Sequence, residues 1–363
     1  MTPFPRAELP TPALVIDRAA LNRNIAGMAE FAAAKELALR PHAKTHKSAD
    51  IARLQIEAEA VGVCCAKLGE AEALAEQGIG DILLTSPVVT PWGTRRLVEL
   101  SGRIEALAVV VDHPDNVAAL AAAADACGLA LTVLIDVDPG MQRTGVASPE
   151  AAVALARAIA SAAALRLGGV QFYCGREQHI VGLADRRAAI VRHTDYLRTV
   201  IAALEADGHA IIRVTGSGTG TFMLDAALGV LTELQCGSYV FMDREYLDCE
   251  LDDGAAPTFE PALTVEATVI SANHPGHVTV DAGFKALAAD AGPPRVVCSG
   301  TYRFMGDEHG AVVGSEAGLR LGDRVSLVQG HCDPTVNLYD AYAVAEGERI
   351  VELWPVTARG RST

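Results

Sequence analysis

Short runs of valine, isoleucine and leucine alternate with alanine-rich stretches of helical period as far as about Met242, and no other feature constrains the fold as strongly. The apolar runs lie at Leu37 to Arg40, Gly62 to Ala66, Asp81 to Leu84, Leu107 to Val111, Leu131 to Ile135, Leu167 to Gln171, Ile211 to Val214 and Thr232 to Gln235. Continuous apolar runs of this length are what strands buried on both faces require, and parallel neighbours need a crossover between them. Helical stretches fill most of the gaps, at Ser48 to Ala60, Glu70 to Glu76, Pro91 to Leu100, Asn116 to Ala126, Pro149 to Ala160 and Asp185 to Ala206. Eight such units predict an α/β chain built on a (β/α)8 TIM-type barrel, with the last crossover the least clear. At 363 residues, half of them hydrophobic, the chain has material for that barrel and an appendage.

Beyond Met242 the helical period fades. Thr264 to Ile270, His277 to Asp281, Val296 to Phe304, Asp323 to Leu327 and Ala341 to Ala345 alternate as antiparallel strands do. The expected organisation is a barrel over 17–242 and a β-rich domain over 243–363 that also takes in 1–16, through an early strand at Ala13 to Ile16.

A formal net charge of -15 opposes a sequence-independent grip on nucleic acid or on an anionic membrane. No apolar stretch approaches the roughly 18 residues of a membrane span, and the first residues carry no secretory pattern. Eight scattered cysteines, two of them adjacent at Cys64 and Cys65, are not a disulfide framework, so reduced thiols in a cytoplasmic protein are expected.

Residues just past barrel strands face a common mouth, where such folds place their chemistry. The first strand runs into Arg40-Pro41-His42-Ala43-Lys44-Thr45-His46-Lys47, a lysine amid other cationic groups, which is a setting that lowers a lysine pKa for Schiff-base chemistry. Taken alone, the same segment reads more readily as a solvated basic loop. The fifth strand leads to Arg143 between glycines, and the sixth to Tyr173, Cys174, Gln178 and His179. The seventh and eighth open into Thr215-Gly216-Ser217-Gly218-Thr219-Gly220 and Cys236-Gly237-Ser238-Tyr239, small and hydroxylated segments of the kind whose N–H groups cradle a phosphate. Far downstream, His331-Cys332-Asp333 places a nitrogen and an oxygen donor two residues apart. On an extended segment both would point to one face and Cys332 away, a donor pair for a divalent metal with open positions. The plainer alternative has His331 merely holding a turn before Pro334. Asp307-Glu308-His309 is a second polar cluster, able to add a ligand or a supporting contact.

Together these segments resemble the fold-type III pyridoxal 5'-phosphate enzymes, specifically the metal-activated D-threonine aldolase and D-serine dehydratase group. The resemblance runs from Thr11-Pro12-Ala13 to the closing Trp354-Pro355-Val356-Thr357-Ala358-Arg359-Gly360. It implies an alanine racemase-like barrel, a C-terminal β-domain and a homodimer. The family's motif around its cofactor lysine matches Arg40 to Lys47, which makes Lys44 the implied cofactor lysine and Lys47 the competitor. By the same matching Arg143 contacts the cofactor's phenolic oxygen and Tyr173 lies beside the pyridine. Thr215, Gly218, Thr219, Gly220, Gly237, Ser238 and Tyr239 fall on the phosphate-binding stretches. Two positions depart from the pattern: Ser217 stands where glycine is common, and Cys174 where the aldolases often carry histidine.

Dehydratases of this group carry His-x-Cys and favour zinc. The carboxylate of Asp333 is harder than a thiolate and suits Mn2+ first, with Mg2+, Co2+ or Zn2+ as alternatives. The resemblance therefore implies an aldolase that cleaves D-threonine or a related D-3-hydroxy-amino acid to glycine and an aldehyde, with metal on His331 and Asp333. His179 would act on the substrate hydroxyl, and Gln178, Asp307 and His309 would support substrate or metal. The rival is a D-serine or 3-hydroxy-D-aspartate dehydratase that gives a 2-oxo acid and ammonia. A third reading, a non-catalytic pyridoxal phosphate carrier, fits the β-domain and its His-x-Asp motif poorly.

Overall fold

A computed structural model describes residues 2–251, 259–314 and 318–363. Eight parallel strands form one sheet, Ala38–Leu39, Val63–Cys65, Asp81–Leu84, Ala106–Val111, Leu131–Asp136, Leu165–Phe172, Val214–Gly216 and Glu233–Leu234, each on one of the expected apolar runs or overlapping its end. The first strand pairs in parallel with the eighth, Leu39 opposite Leu234. It reaches the second through a bridge between His42 and Cys64, with the Cys64 N–H donating to the Pro41 carbonyl at 2.8 Å. Pro41 has no N–H to give, so closure at this seam uses its carbonyl and a single bridge instead of a full ladder.

The crossover helices agree with the sequence reading to within a few residues, and Pro149–Ala160 matches it throughout. Pro91, Pro114 and Pro149 each stand at a helix start, where a missing N–H costs nothing, and Thr90 and Ser148 accept bonds from the first-turn N–H groups. The least clear crossover is a helix of only seven residues, Phe222–Leu228. Helix Arg18–Ala34, which was not singled out in the sequence, precedes the first barrel strand, with its Leu21, Ile25 and Met28 buried. Among the described residues no helix is long and apolar enough to cross a membrane.

The second sheet is mostly antiparallel. Strand Ala13–Asp17 pairs antiparallel with Leu263–Ser271 and parallel with Ala341–Glu346, so the early strand does join the C-terminal domain. Strands Gly310–Val313 and Arg349–Pro355 were not singled out in the sequence. Leu263–Ser271 also pairs with Arg324–Val328, and that strand delivers Gly330 to Asp333 to the barrel mouth. In return the β-domain clasps the lysine segment. The Tyr342 hydroxyl donates to the His46 carbonyl, and the Ala358 N–H to the Lys47 carbonyl at 2.9 Å.

Candidate active site

A cavity of about 440 Å³ opens at the carboxyl ends of the barrel strands. Its wall includes Lys44 from the first strand's exit, Arg143 and Tyr173 from the fifth and sixth, and Ser217, Gly218, Thr219, Gly237 and Ser238 from the last two. The Arg143 guanidinium stands 5.7 Å from the centre of the Tyr173 ring. The geometry thus gathers a lysine, an arginine over an aromatic ring and two small-residue loops on one void. Such a set can hold a planar, phosphorylated aldehyde: an amine for the carbonyl, a cation for a phenolic oxygen and N–H groups for the phosphate.

Three residues of the expected phosphate stretches do not line the cavity. The Thr215 hydroxyl donates to buried Glu233 at 2.8 Å, inside the barrel. The Gly220 N–H donates to Gln178 Oε1 at 3.0 Å. Tyr239 is fully buried, its N–H donating to the Thr219 hydroxyl and its own hydroxyl accepting from Gln55. These groups shape the loops, and their polar atoms are already engaged. Gln178, fully buried, also donates to the Cys174 carbonyl and the Thr221 hydroxyl, so it braces the Ser217–Thr221 loop and does not line the cavity. A Cβ at Gly218 would lie 2.5 Å from Gln178 Oε1, and one at Gly220 2.0 Å from its carbonyl oxygen, so both glycines let the loop close on this brace.

Lys44 stands on a short turn, Ala43–Thr45, whose Lys44 N–H faces His42 Nδ1 at 3.4 Å. Its ammonium meets Asp333 Oδ2 at 2.8 Å, across the boundary between barrel and β-domain. The cationic neighbours therefore do not lower its pKa as the sequence predicted. The Asp333 carboxylate raises it, overriding the opposing effect of burial. Burial alone would raise Asp333, yet the charges of Lys44 and His331 hold it below the usual carboxylate range. Burial, then the charge of Lys44, pushes His42 well below its ordinary value. Lys47 turns elsewhere, 3.7 Å from buried Glu70, and does not line the cavity.

The His-x-Asp segment is not extended. Cys332–Val336 is a short helix with His331 at its N-cap and Pro334 in its first turn, where the missing N–H is harmless. Both donors still come together, His331 Nε2 lying 3.9 Å from Asp333 Oδ1. Cys332 is buried and takes a hydrogen bond from Gln329 at 3.1 Å, facing away as expected but for a helical reason. Asp333 Oδ1 is a buried oxygen with no hydrogen-bond partner, and it faces a histidine nitrogen too distant to bond it. That gap fits a cation between them. No group of three or more His, Cys, Asp or Glu able to hold a metal occurs among the described residues, so other positions would fall to water or substrate.

His179 is not among the residues lining the cavity; its ring stands 4.7 Å from that of Tyr246, which is, its Nδ1 3.9 Å from Glu245, and the charges of His331 and Asp333 reach it. Burial lowers its pKa, which favours the neutral, proton-accepting form. Asp307 and His309 sit exposed on the turn between strands Thr301–Phe304 and Gly310–Val313 and do not line the cavity; the cluster is hairpin-turn chemistry. The sequence reading missed Tyr246 in the cavity wall, Asp243, whose carboxylate accepts the Cys332 and Tyr246 N–H groups, and Asp290, which bonds His331. Asp243 carries the local mark of an N-cap, three residues before Tyr246, but its bond to Cys332 and the contacts of Tyr246 and Asp290 arise only from the fold.

Comparison with known proteins places this geometry in a family. Residues 16–245 match the alanine racemase N-terminal domain, and residues 262–345 match a domain described as "Putative serine dehydratase domain". The chain is 39% identical to a 3-hydroxy-D-aspartate aldolase of Paracoccus denitrificans, over 98% of this chain and 93% of that protein. It is 38% identical to a D-threonine aldolase of an Arthrobacter species, over 99% and 95%. The crystal structure of D-threonine aldolase from Filomicrobium marinum superposes with a TM-score of 0.96 at 38% identity, covering 100% of this chain and 99% of that one. The chain belongs to the alanine racemase N-terminal domain family, in the group that joins this barrel to a serine dehydratase-type β-domain.

Proposed function

We propose that this protein is a pyridoxal phosphate- and metal-dependent aldolase that cleaves D-threonine or a related D-3-hydroxy-amino acid to glycine and an aldehyde. The observation that carries the reading is the 2.8 Å contact between Lys44, on the cavity wall, and Asp333, the carboxylate of the His-x-Asp pair. With Lys44 as the cofactor amine and Asp333 as a metal ligand, this contact would set the two side by side, as cleavage beside an amino group and a hydroxyl requires.

Lys44 would hold the cofactor, Arg143 its phenolic oxygen, and Tyr173 would lie against its ring. Ser217, Gly218, Thr219, Gly237 and Ser238 would hold its phosphate, with Thr215, Gly220, Tyr239 and Gln178 keeping those loops in place. Pyridoxal phosphate supplies a sink for the electron pair left on Cα when the Cα–Cβ bond breaks. His331 and Asp333 would hold the divalent metal, Mn2+ first on the hardness of the carboxylate, next to the substrate's β-hydroxyl. His179, in its neutral form, takes the hydroxyl proton, and Lys44 returns a proton to Cα.

A homodimer belongs to the same reading. Phe284, 46% exposed and stacked on Phe304 at 4.3 Å, lies beside exposed Met305, an apolar patch that a second copy would cover. Five of the eight free cysteines are buried thiols, which fits the cytoplasmic setting.

Product analysis tests the function. The purified protein, loaded with cofactor and Mn2+, is incubated with D-threonine, D-serine and 3-hydroxy-D-aspartate. Glycine and an aldehyde are expected from D-threonine. A 2-oxo acid and ammonia would make the protein a dehydratase, and no turnover with or without metal would support a carrier.

A further inference from the structure

We propose that Asp290 is a positioning residue for the metal: its carboxylate fixes the ring orientation and tautomer of His331, so that Nε2 is the free nitrogen offered beside Asp333. The proposal rests on the reading of His331 and Asp333 as metal ligands and extends it to a residue that touches neither the metal position nor the substrate.

Asp290 Oδ2 lies 2.7 Å from His331 Nδ1, while Nε2, on the far side of the ring, is the nitrogen 3.9 Å from Asp333 Oδ1. A neutral histidine that donates Nδ1–H to a carboxylate has its lone pair on Nε2, and the bond fixes the direction in which that lone pair points. Without the carboxylate the ring can flip or carry its proton on Nε2, and either change removes the ligand.

The pairing is built into the backbone. Asp290 sits in a tight turn in which the Gly292 N–H returns to the Ala289 carbonyl at 3.1 Å. The Arg244 guanidinium bonds the Ala291 carbonyl, while the Arg244 N–H donates to Gln329 and the Glu245 N–H to Gly330. One short helix, Arg244–Leu247, thus ties together the turn that carries Asp290 and the segment that carries His331. A Cβ on residue 330 would come within 2.8 Å of the Gly292 carbonyl oxygen, so glycine immediately before His331 lets the turn lie this close. The neighbouring carboxylate cannot take the role. Asp243 uses one oxygen for the Cys332 N–H at 3.0 Å and the other for the Tyr246 N–H at 3.3 Å. Asp290 is half-exposed, so its bond contributes little to fold stability, and its effect belongs in metal affinity.

The experiment titrates Mn2+ by calorimetry into cofactor-loaded, metal-stripped protein, comparing the parent with Asp290→Ala, Asp290→Asn and His331→Ala. Asp290→Ala should weaken Mn2+ binding about 10- to 100-fold. Asp290→Asn, whose amide oxygen still accepts Nδ1–H, should lose less. The melting temperature of the metal-free protein and its cofactor absorbance should not move, and saturating Mn2+ should restore most of the turnover of Asp290→Ala. Mn2+ affinity in Asp290→Ala within about twofold of the parent, with His331→Ala weakened, would overturn the role of Asp290 alone. A metal-free Asp290→Ala that melts early or loses cofactor would make the residue structural and overturn it too. If His331→Ala binds Mn2+ as the parent does, the metal reading itself fails, and this proposal with it.

Discussion

In the barrel, the candidate site is assembled from residues just past the ends of parallel strands, each delivered by its own strand to one cavity. In the β-domain, the proposed metal pair comes from one tripeptide, and what orients it arrives from distant segments: Asp243, Asp290 and, across the domain boundary, Lys44. The first half is a consequence of topology, because the strand ends open on one rim, even though Lys47, Thr215 and Gln178 turn away from the cavity there. The second half depends on tertiary contacts, and so its conformation is set by neighbours and not by its own spacing. The halves meet at the Lys44–Asp333 ion pair, which is therefore the place to pull them apart.

The largest effect is expected on the barrel side. Lys44→Ala should lose the reducible attachment of pyridoxal phosphate and cut turnover by on the order of 10,000-fold or more. Borohydride reduction and peptide mapping should place the label on Lys44; recovery on Lys47, which stands against Glu70, would reverse the assignment. On the other side, Asp333→Ala should lose metal-dependent turnover, by roughly 1,000-fold, with cofactor attachment retained. Cys332→Ala, altering a buried thiol that faces Gln329, should keep it. The opposite pattern would place a thiolate on the metal and erase the distinction from His-x-Cys dehydratases. His179→Ala should still bind cofactor and a D-amino acid, seen in the absorbance change, and cleave D-threonine about 100- to 10,000-fold more slowly. Full turnover in that variant would move the proton transfer to another group.

How far each half could be read in advance follows the same division. The eight strands were legible because burial on both faces writes a continuous apolar run, and the early strand Ala13–Asp17 because its alternation suits a sheet. Lys44, Arg143, Tyr173 and Ser238 were legible as strand-end residues, but the pKa of Lys44 was not, because Asp333 is 289 positions away and only the fold brings it to 2.8 Å. The spacing of His331 and Asp333 suited a strand. The signal for a helix was present in Pro334, which tolerates a first turn, and in the carboxylate ahead of it. Asp307 and His309 had the composition of a site and the conformation of a hairpin turn. Asp290 and Tyr246 carried no local mark at all.

The smallest effect tests how firmly the barrel half is prebuilt. Asp225, buried beside the Ser217–Thr221 loop, accepts the Thr221 hydroxyl at 2.7 Å, and burial pushes its pKa up to about 6. Between the unfolded carboxylate pKa and that value the folded protein holds the extra proton, so stability falls as pH rises through this window. The cost above it is at most about 3 kcal/mol. Asp225→Asn should flatten the difference in melting temperature of the cofactor-free protein between about pH 4 and pH 7. An unchanged difference would show that another group carries it.

The joint dependence on both halves is tested most directly by following D-threonine on cofactor-loaded enzyme stripped of metal. The substrate should still shift the cofactor absorbance, because the barrel half is intact, yet glycine and acetaldehyde should form only when Mn2+ is restored, with a stoichiometry of one site per chain. Full-rate cleavage without metal, or a 2-oxo acid as the product once metal is added, would contradict a site in which the barrel supplies the cofactor and the β-domain the metal for carbon–carbon cleavage.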